Sequence, residues 1–247
     1  MSAITEELLG REKEVREYIE KYANLFGLDP NLVRGLITQE SRFLAEATSP
    51  TGAYGYGQFT YIGSQQVQEV AGMNPDASDL SKFTKWDADN PDQGIKAICA
   101  FLWWLFNKKY PNVEDKKVQL EAALTFYNAG GRPAALVVGY GGHNKALPYL
   151  KKLPSNVRGD SLKYAPEVAI WFIEWYEHMR KEAAEATAVE ITETVNPFDA
   201  AVSKMDPKYR ALVEALLLLD KVDDTVNSMV SVRDGLTEVS LIFPGEY

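Results

Sequence analysis

The sequence predicts a mostly helical domain that contains one small irregular β or loop region and is followed by a C-terminal helical appendage. Three observations predict it. Apolar residues recur at helical spacing in a series of long stretches. Between two of these lies TSPTGAYGYGQFT, rich in Gly, Ser, Thr and Tyr and without helical period. Near residue 187 the pattern changes again and a strongly acidic segment begins. The expected division is a domain over residues 1–186 and an appendage over 187–247.

The first helix is expected from about Thr5 to Phe26, where Val15, Tyr18, Ile19, Tyr22 and Phe26 form one face, and Gly27 ends it. Asp29-Pro30 opens the second, with Asp as cap and Pro in the first turn, running to about Phe43. Residues 44–61 are the irregular region. A helix over about Ile62 to Ala71 follows, and residues 72–90 read as loop around the Asn74-Pro75 turn signal. Ile95, Ile98, Cys99, Leu102 and Phe106 mark a helix from Pro91 to about Lys109. The next, about Lys116 to Tyr127, is apolar on several sides, which predicts burial at the centre of the domain. AGGRPAALVVGYGGHN holds room for one short helix. Val168, Trp171, Phe172, Trp175 and Met179 mark a last long helix that fades near Ala186. In the appendage VEITETV alternates like a strand, and Tyr209, Leu212, Val213, Leu216 and Leu217 line one face of an amphipathic helix.

Composition narrows the function classes. The 247 residues are 46% hydrophobic and 25% charged, ordinary for a soluble globular protein. The net charge of −9 gives no electrostatic footprint for nucleic acid and suits anionic membrane surfaces poorly. Residues 187–247 hold eleven acidic against five basic residues, and so most of that charge. Cys99 is the only cysteine, so no intrachain disulfide forms; on its apolar stripe it is expected to be core packing. The N-terminus lacks the pattern of a secretory signal, and no apolar run approaches the length of a membrane span. His143 and His178 lie far apart, and no metal or other cofactor is expected. Trp103, Trp104, Trp171 and Trp175 are expected in the core or in the wall of a cleft.

The residue that points to chemistry is Glu40. Val33, Leu36, Ile37 and Leu44 form the apolar stripe of the second helix, and Glu40 lies within it, four residues after Leu36 and three after Ile37. Such a Glu either reaches solvent at the helix end or sits in apolar surroundings. In the second case desolvation raises its pKa toward neutrality, the condition for a general acid. Ser41 follows directly. Tyr54 and Gly55-Tyr56-Gly57-Gln58-Phe59 combine glycines that allow close backbone approach with a side-chain amide able to donate and accept. Phe126-Tyr127-Asn128-Ala129-Gly130 ends the buried helix, either as a simple cap or with Tyr127 and Asn128 projecting into a cleft.

Taken together and in this order, these segments resemble the catalytic core of the soluble lytic transglycosylases, the SLT family related to goose-type lysozyme. That family has a Glu-Ser pair at a helix end (Glu40-Ser41), a G-A-x-G-x-x-Q loop (Gly52 to Gln58) and an A-Y-N-A-G motif (Phe126 to Gly130, with Phe in place of Ala). A later Y-x-x-x-V matches Tyr164 to Val168. The likeness covers roughly residues 25–175. It departs at Tyr56 to Tyr61, where the family commonly has L-M-Q-L-M-P.

The resemblance implies an α+β lysozyme-like fold and cleavage of the β-1,4 bond between N-acetylmuramic acid and N-acetylglucosamine in peptidoglycan glycan strands. It implies Glu40 as acid and then base, with Tyr127 near the reacting centre. It also implies Ser41, Tyr54, Tyr56, Gln58, Phe59, Asn128 and Tyr164 as substrate-binding residues. Two alternatives stay open. One is a goose-lysozyme-like muramidase with a second acid among Asp76, Asp79, Asp87 and Asp89. The other is a non-catalytic structural or glycan-binding virion protein. With a wall substrate and no export signal, the expectation is synthesis in a host cytoplasm and packaging into a tailed-phage virion, with action in the periplasm or cell wall. The appendage would then dock other virion proteins.

Overall fold

A computed structural model describes residues 4–188, and within them the chain is mostly helical. The appendage expected from residue 187, with its Tyr209 to Leu217 stripe, falls almost wholly outside the described residues.

Helix α1 spans Glu6–Phe26, capped by Thr5 and ended by Gly27 in the left-handed region. Helix α2 spans Pro30–Ser41, with the Asp29 side chain accepting from the Asn31 N–H and Pro30 in the first turn. It ends two residues before the expected Phe43. Arg42 and Phe43 both take left-handed conformations, at φ 51° and 59°. That turn drives the Phe43 ring into the core, edge-on to Trp175 at 5.6 Å. α1 and α2 are joined by a buried ion cluster: Arg34 Nε donates to Glu12 Oε1 at 2.7 Å, and Arg34 also meets Glu20. Arg16 adds a second cation on Glu12, so neither buried charge lacks a partner.

The irregular region is a tight hairpin. Tyr54 pairs with Phe59 through bonds of 3.1 and 2.9 Å, and Tyr54 also bridges to Thr48. Helix α3 spans Tyr61–Ala71. Residues 72–90 are more ordered than the loop expected there, forming 3-10 helices at Pro75–Lys82 and Lys85–Asp89. Side-chain caps hold both: Asn74 accepts from Asp76 N–H, and Asp87 accepts from both the N–H and the hydroxyl of Thr84. These turns are too short to show a 3.6-residue period, which is why apolar spacing did not reveal them.

Helix α4 spans Pro91–Trp104 and widens into one π-helical turn at Leu105–Lys109, together filling the range expected. Helix α5 spans Lys116–Ala129 and is central, burying Leu120, Ala123, Leu124, Thr125 and Phe126. Two helices rather than one follow, α6 at Gly131–Tyr140 and α7 at His143–Leu150. The left-handed Gly141 and the positive-φ Gly142 break the helix between them. Helix α8 is the short Ser155–Arg158, and α9 is Tyr164–Ala188. One main core gathers α1–α5 and α9, while Ala122, Val137, Ala146 and Leu150 form a smaller second core under α6 and α7. Cys99 and Trp175 lie fully inside, Cys99 with its thiol pushed up by burial. Among the described residues no helix is long and apolar enough to cross a membrane.

Candidate active site

The position of Glu40 follows from how α2 lies on α9. The two backbones approach so closely at Gly35 that an added Cβ would stand 2.8 Å from Phe172 N and 3.1 Å from Val168 O. From there α2 runs along α9 with its last turn pinned. Trp175 Nε1 donates to Thr38 Oγ1 at 2.8 Å, Trp171 Nε1 to Gln39 Oε1 at 3.1 Å, and Gln39 Nε2 to Glu167 Oε2 at 2.8 Å. The next residue, Glu40, receives a hydrogen bond on Oε1 from the Tyr164 hydroxyl, at the start of α9.

Glu40 keeps part of its surface accessible, yet protein crowds its carboxyl on most sides. Its pKa is raised from 4.5 to about 7, mainly by desolvation. The Tyr164 hydrogen bond pulls the other way by stabilising the ionised form, and the charge of Asp160 pushes up. Tyr127 and Tyr164 both stay protonated far above neutrality, through burial and then the nearby Glu40 charge. Two phenols and one carboxyl from α5, α9 and α2 thus form a single electrostatic cluster.

The hairpin closes on this cluster. Tyr127 Oη donates to Gly57 O at 2.9 Å. Gly57 has no room for a side chain, since a Cβ would lie 2.7 Å from Ile98 Cγ1, Phe59 Cε2 and Tyr127 Oη. Gly55, at φ 79°, is likewise closed by Ala88, whose carbonyl would come within 2.4 Å of a Cβ. The glycines therefore allow close approach of the protein to itself, of side chains at Gly57 and of the Ala88 backbone at Gly55.

The remaining expected binding residues divide by orientation. Tyr54 is half-buried, with its hydroxyl donating to Asp89 Oδ2 at 2.9 Å. Gln58 clamps the hairpin, its amide donating to Ala47 O at 2.8 Å and Gly55 O at 3.0 Å. Ser41 is buried, its hydroxyl turned back on Ile37 O at 3.2 Å. Tyr56 and Phe59 are buried in the core, Phe59 against Phe83 and Tyr127. Asn128 is half-buried, and its Oδ1 accepts from Asp160 N–H at 3.1 Å. The structure therefore brings Glu40, Tyr127 and Tyr164 together, with Asn128 one bond away through Asp160. Of the others, Phe59 packs on Tyr127, while Ser41, Tyr56 and Gln58 turn into the helix, the core and the hairpin.

Asp160 is the residue that sequence reasoning missed. It is exposed, with its backbone seated on Asn128, and Gly159 at φ 53° packs beside Asn128 and Ala129. The available signal was its place one helical turn before Tyr164, whose N–H reaches Asp160 O at 3.0 Å. Three of the four second-acid candidates expected between residues 76 and 89 have side-chain partners. Asp79 pairs with Lys96, Asp87 caps its own turn and Asp89 accepts from Tyr54.

A family model described as the transglycosylase SLT domain matches residues 17–147, a little over half of the chain. No curated protein matches it. The matched span contains Glu40, the hairpin and Tyr127, the parts that converge above. The chain belongs to the transglycosylase SLT domain family.

Proposed function

We propose that this chain is a peptidoglycan lytic transglycosylase with Glu40 as its one acid/base. The observation that supports this most directly is the Glu40 carboxyl, raised to about 7 by burial while a phenol holds one oxygen. A carboxyl at that value divides about evenly between its two forms near pH 7, so it can give a proton and take one back. In the protonated form Glu40 delivers its proton to the oxygen between N-acetylmuramic acid and N-acetylglucosamine as that bond breaks. The resulting carboxylate then removes the proton of the muramoyl 6-hydroxyl as it bonds to C1. The product ends in a 1,6-anhydro ring, Glu40 regains its proton, and no water is consumed. Tyr164 steadies the ionised interval, and Tyr127 stands beside the reacting group.

One observation favours a second reading, hydrolysis in the manner of goose-type lysozyme. The Asp160 charge acts on Glu40, and a second carboxylate is what activation of water requires. Mass spectrometry of the products from purified peptidoglycan separates the two. Anhydro ends, lighter by one water than hydrolysed ends, are expected. Hydrolysed ends alone would replace the first reading with the second, and intact walls would remove both.

Delivery by a phage particle as it infects is part of the same proposal. It rests on the acidic segment over residues 187–247 and the apolar stripe within it from Tyr209 to Leu217, for which glycan cleavage has no evident use. Finding the chain by mass spectrometry of purified virions is the expected result, and its absence there would refute packaging.

A further inference from the structure

The 3-10 turn at Lys85–Asp89 carries an aromatic surface that the chemistry at Glu40 does not use. Trp86 is 62% exposed. A single exposed apolar side chain is ordinary in itself. This one is held in place. The Tyr54 ring lies 5.1 Å from it, tilted by 60°, and the Lys85 ammonium sits 4.3 Å from its centroid. Lys85 is fixed in turn by donating to Gly52 O at 2.8 Å, and Tyr54 by its bond to Asp89.

The turn beneath is rigid as well. Thr84 and Asp87 close its start, and Ala88 is fully buried under Gly55, its carbonyl accepting from Tyr56 N–H at 3.0 Å. Ordering an indole in water rather than burying it leaves apolar area available to a ligand.

The location supplies the ligand class. Tyr54 and Gly57 stand in the same hairpin, and Gly57 O accepts from Tyr127 beside Glu40. Three residues of chain span at most about 10 Å. An exposed indole with an ammonium over its ring, a phenol beside it and a carboxylate on that phenol offers apolar area and polar partners together, which matches a pyranose with its one apolar face and rim of hydroxyls.

We propose that Trp86, with Tyr54 and Lys85, is a stacking subsite for a ring of the same β-1,4-linked amino-sugar strand whose scissile bond lies at Glu40. This rests on the glycan-cleaving reading above.

The test uses the full chain carrying Glu40→Gln, so that bound strands are not consumed, and peptide-free glycan strands as the probe. Adding Trp86→Ala should weaken strand binding about tenfold, equivalent to about 1.4 kcal/mol. Trp86→Phe should recover most of it. In the active enzyme Trp86→Ala should raise KM for long strands about tenfold with a much smaller change in kcat.

Unchanged binding and KM would overturn the subsite. So would a fall in kcat at constant KM, since that marks a structural disturbance of the Glu40 cluster. If the parent chain neither binds nor cleaves strands, the glycan reading itself fails, a result distinct from a failure confined to Trp86.

Discussion

Replacing Glu40 by Gln should remove activity and, above neutral pH, make the protein more stable. The structure sets both signs. The folded-state pKa of Glu40 is about 7 against 4.5 when unconstrained, mainly because ionisation strips the carboxylate of water. Below about pH 4.5 both states bind the proton and the carboxyl costs nothing extra. Between these values the native state binds more protons than the unfolded state, so stability falls as pH rises; above about 7 the loss is complete. At about 1.4 kcal/mol per unit this amounts to about 3 kcal/mol. Glutamine carries no charge at any pH and is free of the penalty. Asp29, raised to about 6 by burial, weakens both proteins in an overlapping window and cancels in the difference. Urea unfolding of the wild type and Glu40→Gln at pH 4 and pH 8 measures that difference. The variant should gain about 3 kcal/mol on the wild type between the two conditions, while wall clearing falls by about two to four orders of magnitude. A difference that stays flat with pH would refute the buried-acid argument even if activity were lost.

Three further outcomes follow from the same cluster. Tyr164→Phe removes a hydrogen bond to a charged group, worth about 1.5–3 kcal/mol, so the alkaline limb of the pH–rate profile should move up by about one to two units. A limb that stays in place would show that the phenol does not bond the carboxylate in solution. Asp160→Asn removes a charge that raises the Glu40 pKa, so the same limb should move down, opposite to Tyr164→Phe. Equal shifts in one direction would contradict the assignment. Gly35→Ala should destabilise by about 1–3 kcal/mol and reduce turnover, although alanine favours an isolated helix by about 1 kcal/mol, because its Cβ meets the α9 backbone. Calorimetry showing a gain in stability would mean that α2 and α9 are less close than described.

Helix α2 was legible because its signals are local: Asp29-Pro30 starts it, and the period of Val33, Leu36 and Ile37 shows which face Glu40 shares. Tyr127 and Tyr164 enter through motifs, and the structure adds what the motifs do not carry, the bond of Tyr164 to Glu40. Orientation inside the hairpin is not legible in the sequence. Tyr56, Gln58 and Phe59 have no helical period, so their directions depend on Ala47, Ala88, Phe83 and Tyr127, which arrive from elsewhere in the chain. The direction of Ser41 is hidden for a simpler reason: a serine near a helix end can bond the carbonyl four residues back. Asp160 was hidden because its approach to Glu40 depends on the packing of α9 against α2 and on the Asn128 bond, neither of which leaves a periodic trace.

The family match ends at residue 147, whereas the groups that grip the acid's helix, Tyr164, Glu167, Trp171 and Trp175, all come from α9. A gene fragment cut at that boundary would encode the acid without its counterweight. Fusion or domain-swapping experiments that treat the matched span as a portable cassette should therefore yield inert material, and fragments extended through α9 should transfer as a working part. Recombination between relatives would face the same constraint. Crossovers placed between the third motif and α9 would pair an α2 with a foreign α9, and the glycine at their crossing would have to suit both parents.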